Sequence, residues 1–289
     1  MNFTLYDDIK PFYQATYDVL MRHEAQNIIP LGNLIIGNEG KDTTGWRDTK
    51  NWFMATVSDS TGIKLTAIMT PPHNMTLYAT DNQLDVNAVD CLVDGMLKAK
   101  VHASGVMTEN SLAESFAKVY ADKAKTNYKT DVNMRVYELT AVNPAIPSIG
   151  NLRLAKDSDM SFLPYWRHGF ATDCNLPTTS LSEEAENGRY VISIGKLYIL
   201  EDNGVPVSMA RITREMQSVC GVAFVYTPPY FRGKGYASSC VADISRLILK
   251  QGFTKCVLYT NLANPTSNSI YQNIGYKPIC DSLDIKFIN

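Results

Sequence analysis

Two glycines, an arginine and a lysine stand together in the sequence RGKGYA, residues 232–237. Glycine lets a backbone approach a ligand closely, and the start of an α-helix presents unpaired amides and roughly half a positive charge. A loop of this kind that leads into a helix can hold an anion such as a phosphate. The same residues could instead form a plain tight turn that opens a core helix, and the glycines alone leave both interpretations open.

The flanking residues predict the strand and the helix that would position this loop. The apolar run Val219–Tyr226 predicts a strand, and Pro228 and Pro229 end it because proline donates no backbone hydrogen bond. After the loop, apolar residues recur at the spacing of one buried helical face, and Gly252 follows as a C-terminal cap. The residues of that face are Ala237, Cys240, Val241, Ile244, Leu247 and Ile248.

Two nucleotide-binding loops do not fit these residues. A Walker-type loop needs a glycine five residues before its Gly-Lys pair, and Pro228 stands at that place. A dinucleotide-binding fingerprint needs its glycines directly after the strand, whereas residues 227–232 intervene here. It also needs an acid at the end of a second strand, about 20 residues further on, and none is found there.

Two motifs carry a resemblance to a known family. The sequence RGKGYA fits the Q/R-x-x-G-x-G/A signature of the GNAT acetyltransferase superfamily. Residues 264–276, NPTSNSIYQNIGY, resemble the N-x6-Y-x3-G-F/Y element of the same superfamily. The two motifs occur in the family's order, separated by a predicted helix and a predicted strand. The sequence is therefore similar to GNAT proteins, clearly over residues 151–289 and only faintly over the first half.

The resemblance implies a role for the residues of both motifs. It implies that the first motif holds the pyrophosphate of acetyl-CoA, that two parallel strands separate after Tyr226, and that Tyr271 gives a proton to the departing thiolate. From periodicity alone Tyr271 could equally be a core aromatic, because Ile270 and Ile274 share its helical face. The implied cofactor-binding residues are Val225, Tyr226, Thr227, Arg232, Gly233, Lys234, Gly235, Tyr236, Ala237, Ser238 and Asn264.

The implied reaction is transfer of an acetyl group from acetyl-CoA to a primary amine by direct attack on the thioester. An amine whose pKa is about 10 is mostly protonated at pH 7, so a base or a water chain must remove its proton. Many relatives use a glutamate on the central strand, but Val219–Tyr226 contains no acid, and Glu215 is the nearest candidate. A non-catalytic acyl-CoA-binding or sensor protein with a GNAT fold is therefore the alternative.

Composition adds expectations about partners. The chain has 27 basic and 29 acidic residues and a net charge of −2, which gives no electrostatic reason to expect nucleic acid or a membrane as partner. No run approaches the roughly 18 apolar residues of a spanning helix, and the acidic start does not resemble a signal peptide, so we expect a cytoplasmic protein. The six cysteines and four histidines show no metal-ligand spacing. The expected partner is a small-molecule or protein amine, and the oligomeric state stays open.

The chain is expected to divide at residues 143–150, NPAIPSIG, whose prolines and glycine predict a linker. Residues 1–142 would form a degenerate GNAT-like or accessory α/β domain, and residues 151–289 the catalytic N-acetyltransferase domain. The expected fold class is α/β with a mixed sheet, the GNAT acyl-CoA N-acyltransferase fold, with two GNAT-like lobes in tandem. An unrelated α/β domain in the first half is the alternative. A fragment of residues 151–289 is expected to keep some affinity for CoA.

Overall fold

The structure is a computed structural model that describes residues 1–40 and 48–288. Its elements run twice through one order: a strand, two helices, three strands, a helix, a strand, a helix and a strand. This repeat confirms the predicted α/β class with two similar halves. The first series is β1 (Asn2–Tyr6), α1 (Ile9–Met21), α2 (Ile28–Glu39), β2 (Phe53–Asp59), β3 (Gly62–Met69), β4 (Met75–Ala79), α3 (Val86–Lys98), β5 (Gly105–Glu109), α4 (Asn110–Ala124) and β6 (Asn127–Leu139). The second is β7 (Asn151–Leu154), α5 (Leu163–Asp173), α6 (Leu181–Ser193), β8 (Leu197–Asp202), β9 (Val205–Glu215), β10 (Val219–Tyr226), α7 (Tyr236–Lys250), β11 (Lys255–Asn261), α8 (Pro265–Ile274) and β12 (Lys277–Ile288).

The chain forms two compact units whose limits differ from the predicted sequence boundaries. The first unit is Met1–Val136, Thr260–Ala263 and Pro278–Asn289, and the second is Tyr137–Tyr259 and Asn264–Lys277. Strand β12 therefore falls almost wholly in the first unit, where it pairs antiparallel with β5 from Ser282↔Glu109 to Lys286↔Gly105. The end of β6 falls in the second unit. The first unit thus takes β12 from the second half of the sequence, and the second unit takes the last three residues of β6 from the first half.

The first unit packs α3 and α4 against its sheet. Its strand order is β1-β2-β3-β4-β5-β12-β6, and its core includes Val89 and Leu92 of α3 and Phe116 of α4. Strand β1 and helix α2 were not expected from the sequence. Pro30 and two glycines argue against a helix at α2, but Gly37 lies against the Trp52 ring, where a side chain would not fit.

The first unit has no counterpart of the glycine loop in its described residues. The tripeptide Thr-Pro-Pro occurs at residues 70–72 as well as 227–229, but the first copy joins the antiparallel strands β3 and β4. The segment that precedes α3, residues 80–85, is TDNQLD and carries two acids in place of glycines. Asp81 in this segment is paired with Arg22 at 2.9 Å. This segment therefore lacks the glycines that would let a backbone cradle a phosphate, and the degenerate character of this half stays a prediction.

The second unit has the strand order β11-β10-β9-β8-β7. Helix α7 covers one side of this sheet with Val241, Ile244 and Ile248. On another part of the sheet, Leu163 and Trp166 of α5 form a core with neighbouring strand residues. A capping box at Ser180 starts α6, which continues past Gly188 to Ser193. Gly188 lies inside the helix because its missing side chain admits Met160 and Leu163.

The predicted linker, residues 143–150, has no regular structure, but it is attached to the second unit. The backbone N–H of Asn143 donates to the carbonyl of Ile274 at 2.8 Å. Arg246 of α7 donates to the carbonyl of Ile146 at 2.7 Å, and the N–H of Ile149 donates to Ser239 Oγ at 2.7 Å. These bonds hold the segment against α7 and α8.

Among the helices in the described part of the chain, none combines the length and the apolar character needed to cross a membrane.

Candidate active site

The glycine loop has the backbone that the sequence predicts. Gly233 and Gly235 have φ values of +76° and +81°, which residues with a side chain rarely adopt. Helix α7 begins directly after Gly235, and the N–H of Ser239 donates to the carbonyl of Gly235 at 3.0 Å. The amides of residues 236–238 therefore precede the helical hydrogen-bond pattern, where they can bind an anion.

A cavity of about 640 Å³ opens at this loop, and all its lining residues belong to the second unit. Both motifs contribute to its wall, although more than 25 residues separate them in the sequence. Lys234 does not line it; its ammonium lies 6.0 Å from the centre of the Phe231 ring. The predicted residues that line the cavity are Val225, Tyr226, Thr227, Arg232, Gly233, Gly235, Tyr236, Ala237, Ser238, Asn264 and Tyr271.

Strand separation opens the sheet beside this cavity. Within the described residues, β10 pairs with the parallel strand β11 only from Val219↔Lys255 to Gly221↔Val257. The resemblance implied separation after Tyr226, so the strands part earlier than expected. The register of β10 with its other neighbour, β9, also shifts in this region, between Ala223 and Tyr226.

Phe224 lies in this bulge with φ +54°, which is strained for a residue with a large side chain. Phe170 of α5 stacks on its ring with centroids 4.8 Å apart, and the Arg167 guanidinium lies 5.0 Å from the ring centroid. Arg167 in turn donates to Glu184 Oε2 at 2.8 Å, with both side chains buried. These contacts hold the bulge, and no motif in the sequence indicated them.

Hydrogen bonds fix the chain where β10 ends. The Ser208 hydroxyl donates to the carbonyl of Tyr226 at 3.1 Å and lies 2.9 Å from the Thr227 hydroxyl. The Arg232 Nε donates to the carbonyl of Thr227 at 2.9 Å. The first residue of the glycine motif is therefore tied back to the end of the strand.

The end of α5 supplies cavity residues that the sequence analysis missed. Phe170, Asp173 and Cys174 all line the cavity, and the Asp173 carboxylate is paired with the Arg232 guanidinium. These residues belong to no motif, and their helix lies about 60 positions before the glycine loop. Only the folding of α5 over the sheet brings them to the site.

Tyr271 lies on α8 and faces the cavity while remaining 8% exposed. Asn264 starts this helix, since its side-chain oxygen accepts from the N–H of Ser267 at 3.0 Å. Burial raises the pKa of the Tyr271 phenol far above its ordinary value; the neighbouring Cys174 thiol adds to the rise, and a hydrogen bond with Ser267 opposes it. The phenol therefore stays protonated at neutral pH, which is the form that an acid needs.

Glu215 is not placed to act as the base. It lies at the other end of the sheet, because it pairs with Cys220 near the start of β10. Six residues of strand separate that position from Tyr226, a span of roughly 20 Å. Lys196 also holds its carboxylate at 2.5 Å. Among the described residues that line the cavity, Asp173 is the one carboxylate and histidine is absent.

No cluster of histidine, cysteine or acidic residues that could hold a metal ion is found within residues 1–40 and 48–288. The cysteines of the same residues are free thiols, and Cys220, Cys240 and Cys256 are buried.

A known protein family resembles the part of the chain that contains both motifs. Residues 207–283 match the model of the family described as FR47-like protein, and this stretch contains both motifs. A search of curated proteins finds no match to this sequence.

Three solved structures show the fold. A GNAT-family acetyltransferase from Colwellia psychrerythraea is 10% identical, with a TM-score of 0.61 and 99% of each chain covered. A GCN5-related N-acetyltransferase from Sphaerobacter thermophilus is 12% identical, with a TM-score of 0.60, covering 99% of this chain and 95% of that one. A GCN5-related N-acetyltransferase from Kribbella flavida is 14% identical, with a TM-score of 0.54, covering 78% of this chain and 87% of that one.

These likenesses cover both halves of the chain and confirm the predicted fold class. The chain has the fold of the GNAT acetyltransferases over nearly its whole length, with an FR47-like segment that carries both motifs of the resemblance.

Proposed function

We propose that the protein is an acetyl-CoA-dependent N-acetyltransferase that acts on a primary amine of a small molecule or a protein. The observation that carries this proposal is the shared cavity, where the glycine loop, the start of α7 and Tyr271 meet. Its volume of about 640 Å³ is in the usual range of small-molecule sites. The GNAT fold supports the same class, since the similar structures from Colwellia psychrerythraea and Sphaerobacter thermophilus are acetyltransferases by name.

The donor's pyrophosphate would bind to the backbone of residues 233–238. The helix dipole and the free amides favour an anion, and the two glycines keep the backbone accessible. A side chain at Gly233 would meet no atom within 4 Å, so the space beside the loop is open. The residues present therefore fit the group that the family implies.

The amine would attack the thioester directly rather than through an acyl-cysteine. Cys174 is the thiol in the cavity, but burial raises its pKa and the adjacent Asp173 charge raises it further. Its thiolate, which is the nucleophilic form, is therefore scarce at pH 7. Tyr271 would give its proton to the sulfur that leaves, and water would carry away the proton of the amine.

Release of the CoA thiol from acetyl-CoA tests this function. The full chain is incubated with acetyl-CoA and a panel of primary amines, and the free thiol is measured against a reaction without amine. Amine-dependent thiol release supports the transferase. Tight binding of CoA without release for any amine supports the alternative, a non-catalytic acyl-CoA sensor, which the absence of an acid on β10 favours.

A further inference from the structure

Two opposite charges face the same cavity. Arg232 and Asp173 are the charged residues among its described lining residues, and they are paired with each other. Their side chains are 48% and 42% exposed. A pair with this exposure adds little to stability, so it can be broken at small cost when another ion arrives.

A bound donor would compete for Arg232. This residue immediately precedes the glycine loop, and its Nε already anchors it to the carbonyl of Thr227 at 2.9 Å. The remaining nitrogens of its guanidinium can form two parallel hydrogen bonds to a phosphate, which attracts them more strongly than one carboxylate does. A pyrophosphate at residues 233–238 would therefore take the cation that Asp173 now holds.

Asp173 would then face the cavity without its cation. It is the last residue of α5, where the helix dipole adds negative charge. It lines the same cavity as Tyr271, the proposed acid, and it precedes Cys174, whose thiol interacts with the Tyr271 phenol. The Tyr226 ring also lines this region and already faces a cation, with the Arg232 guanidinium 5.9 Å from its centroid.

We propose that Asp173 binds the ammonium group of the acceptor, and that Arg232 passes from Asp173 to the donor's diphosphate when the donor binds. This inference rests on the proposed function and names the acceptor class: a cationic primary amine held between a carboxylate and aromatic rings. Binding of donor and acceptor is then coupled. A bound donor frees the Asp173 carboxylate to bind the acceptor's ammonium group. A bound acceptor raises the affinity for the donor by the same factor.

Calorimetry with CoA and thiol-release kinetics on the full chain test the exchange. The acceptor panel is spermidine, glucosamine and lysinamide. In Asp173→Asn the carboxylate no longer competes for Arg232, so the Kd for CoA should fall several-fold. The same variant should raise the KM of each reactive amine by up to about fivefold, the upper end of the loss expected for one partly exposed ion pair. Asp173→Glu keeps the charge and should stay close to the parent in both measurements.

Glu186→Gln is the matched control, since this exposed carboxylate of α6 does not line the cavity. It should leave the Kd and the KM unchanged. If Asp173→Asn leaves the Kd for CoA unchanged, or weakens CoA binding, the exchange is wrong and the pair only joins α5 to the loop. Calorimetry with CoA alone measures this change in Kd, so the test requires no reactive amine. If the parent protein itself does not bind CoA, the proposed function fails as well.

Discussion

At the scale of single residues, the donor site depends on the backbone of Gly235. Its φ of +81° lies in the left-handed region, and a Cβ there would lie 3.2 Å from Ile149 Cδ1. Gly235→Val would have to adopt a conformation that costs about 1–2 kcal/mol, or change the loop. We expect the loop to change, because the left-handed backbone at this position does not suit a β-branched residue, and the Kd for CoA to rise at least about tenfold. Calorimetry measures this.

Gly195→Val separates loop geometry from general strain. Gly195 has φ +64° with no atom near its missing Cβ, and it does not line the cavity. The Gly195→Val variant should lower thermal stability as Gly235→Val does, while leaving the affinity for CoA unchanged. Equal CoA affinity in the two variants would mean that the glycine loop does not hold the donor.

Tyr271→Phe tests the phenol as an acid. The ring and its packing against Tyr276, with centroids 6.0 Å apart, are kept, and only the proton is lost. We expect kcat to fall by up to about 100-fold, the lower end of the range for general acid catalysis, with little change in Tm or in CoA affinity. Because burial raises the pKa of this phenol, it stays protonated below about pH 10. Its titration should therefore cause no alkaline fall in kcat below that pH.

Tyr276→Phe is the converse control. Tyr276 is 2% exposed, its hydroxyl lies 2.8 Å from Ser245 Oγ, and it does not line the cavity. Loss of this buried hydrogen bond should cost about 1 kcal/mol of stability and leave kcat unchanged. If instead Tyr271→Phe lowers Tm and keeps full kcat, Tyr271 is a core aromatic.

At the scale of elements, α8 is held in place by β6. Tyr137 at the end of β6 is fully buried; its hydroxyl donates to Asn268 Oδ1 at 2.9 Å and accepts from Gln272 Nε2 at 3.1 Å. Both partners lie on α8, on either side of Tyr271. Tyr137→Phe should therefore lower kcat a few-fold, because α8 carries the proposed acid, and should lower stability by about 1 kcal/mol.

Tyr120→Phe provides the comparison in the first unit. Its buried hydroxyl accepts from the N–H of Ala103 at 3.0 Å, so the substitution removes a similar hydrogen bond at a residue that does not line the cavity. Stability should fall by a similar amount with no change in kcat. Thermal melts and steady-state kinetics of both variants decide whether β6 positions α8 or only adds stability.

At the scale of the whole molecule, the end of β6 contributes to the core of the second unit, which changes what a fragment can do. Residues 151–289 include the cavity but lack Tyr137 and Leu139, which are 0% and 1% exposed in the core of the second unit. We now expect this fragment alone to show no cooperative melt and no CoA binding. Mixing or coexpressing it with residues 1–150 should restore the cooperative melt and the CoA binding. Residues 1–150 supply the end of β6 to the second unit, and residues 151–289 supply β12 to the first.

Circular dichroism and calorimetry on the separate and combined fragments measure this. A fragment of residues 151–289 that melts cooperatively and binds CoA by itself would show that β6 is dispensable, and that the sequence boundary at residues 143–150 is also a folding boundary.

The sequence by itself determined the local elements of the site. Proline at 228–229, glycine at 233 and 235, and apolar periodicity after residue 236 act through near neighbours in the chain, so they predict the strand, loop and helix correctly. The same holds for α8, whose cap at Asn264 and end at Gly275 are local signals. The two motifs also indicated the fold of the chain.

Only the tertiary structure decided which groups meet those elements. Asp173 and Cys174 reach the cavity because α5 packs over the sheet, and the Phe224 bulge is held by Arg167 and Phe170 through contacts that no local pattern encodes. Helix α2 forms against its propensities because Gly37 packs on Trp52. The placement of β12 in the first unit and of the end of β6 in the second is likewise invisible in the sequence, since both halves present the same strand pattern and only long-range pairing chooses the partner.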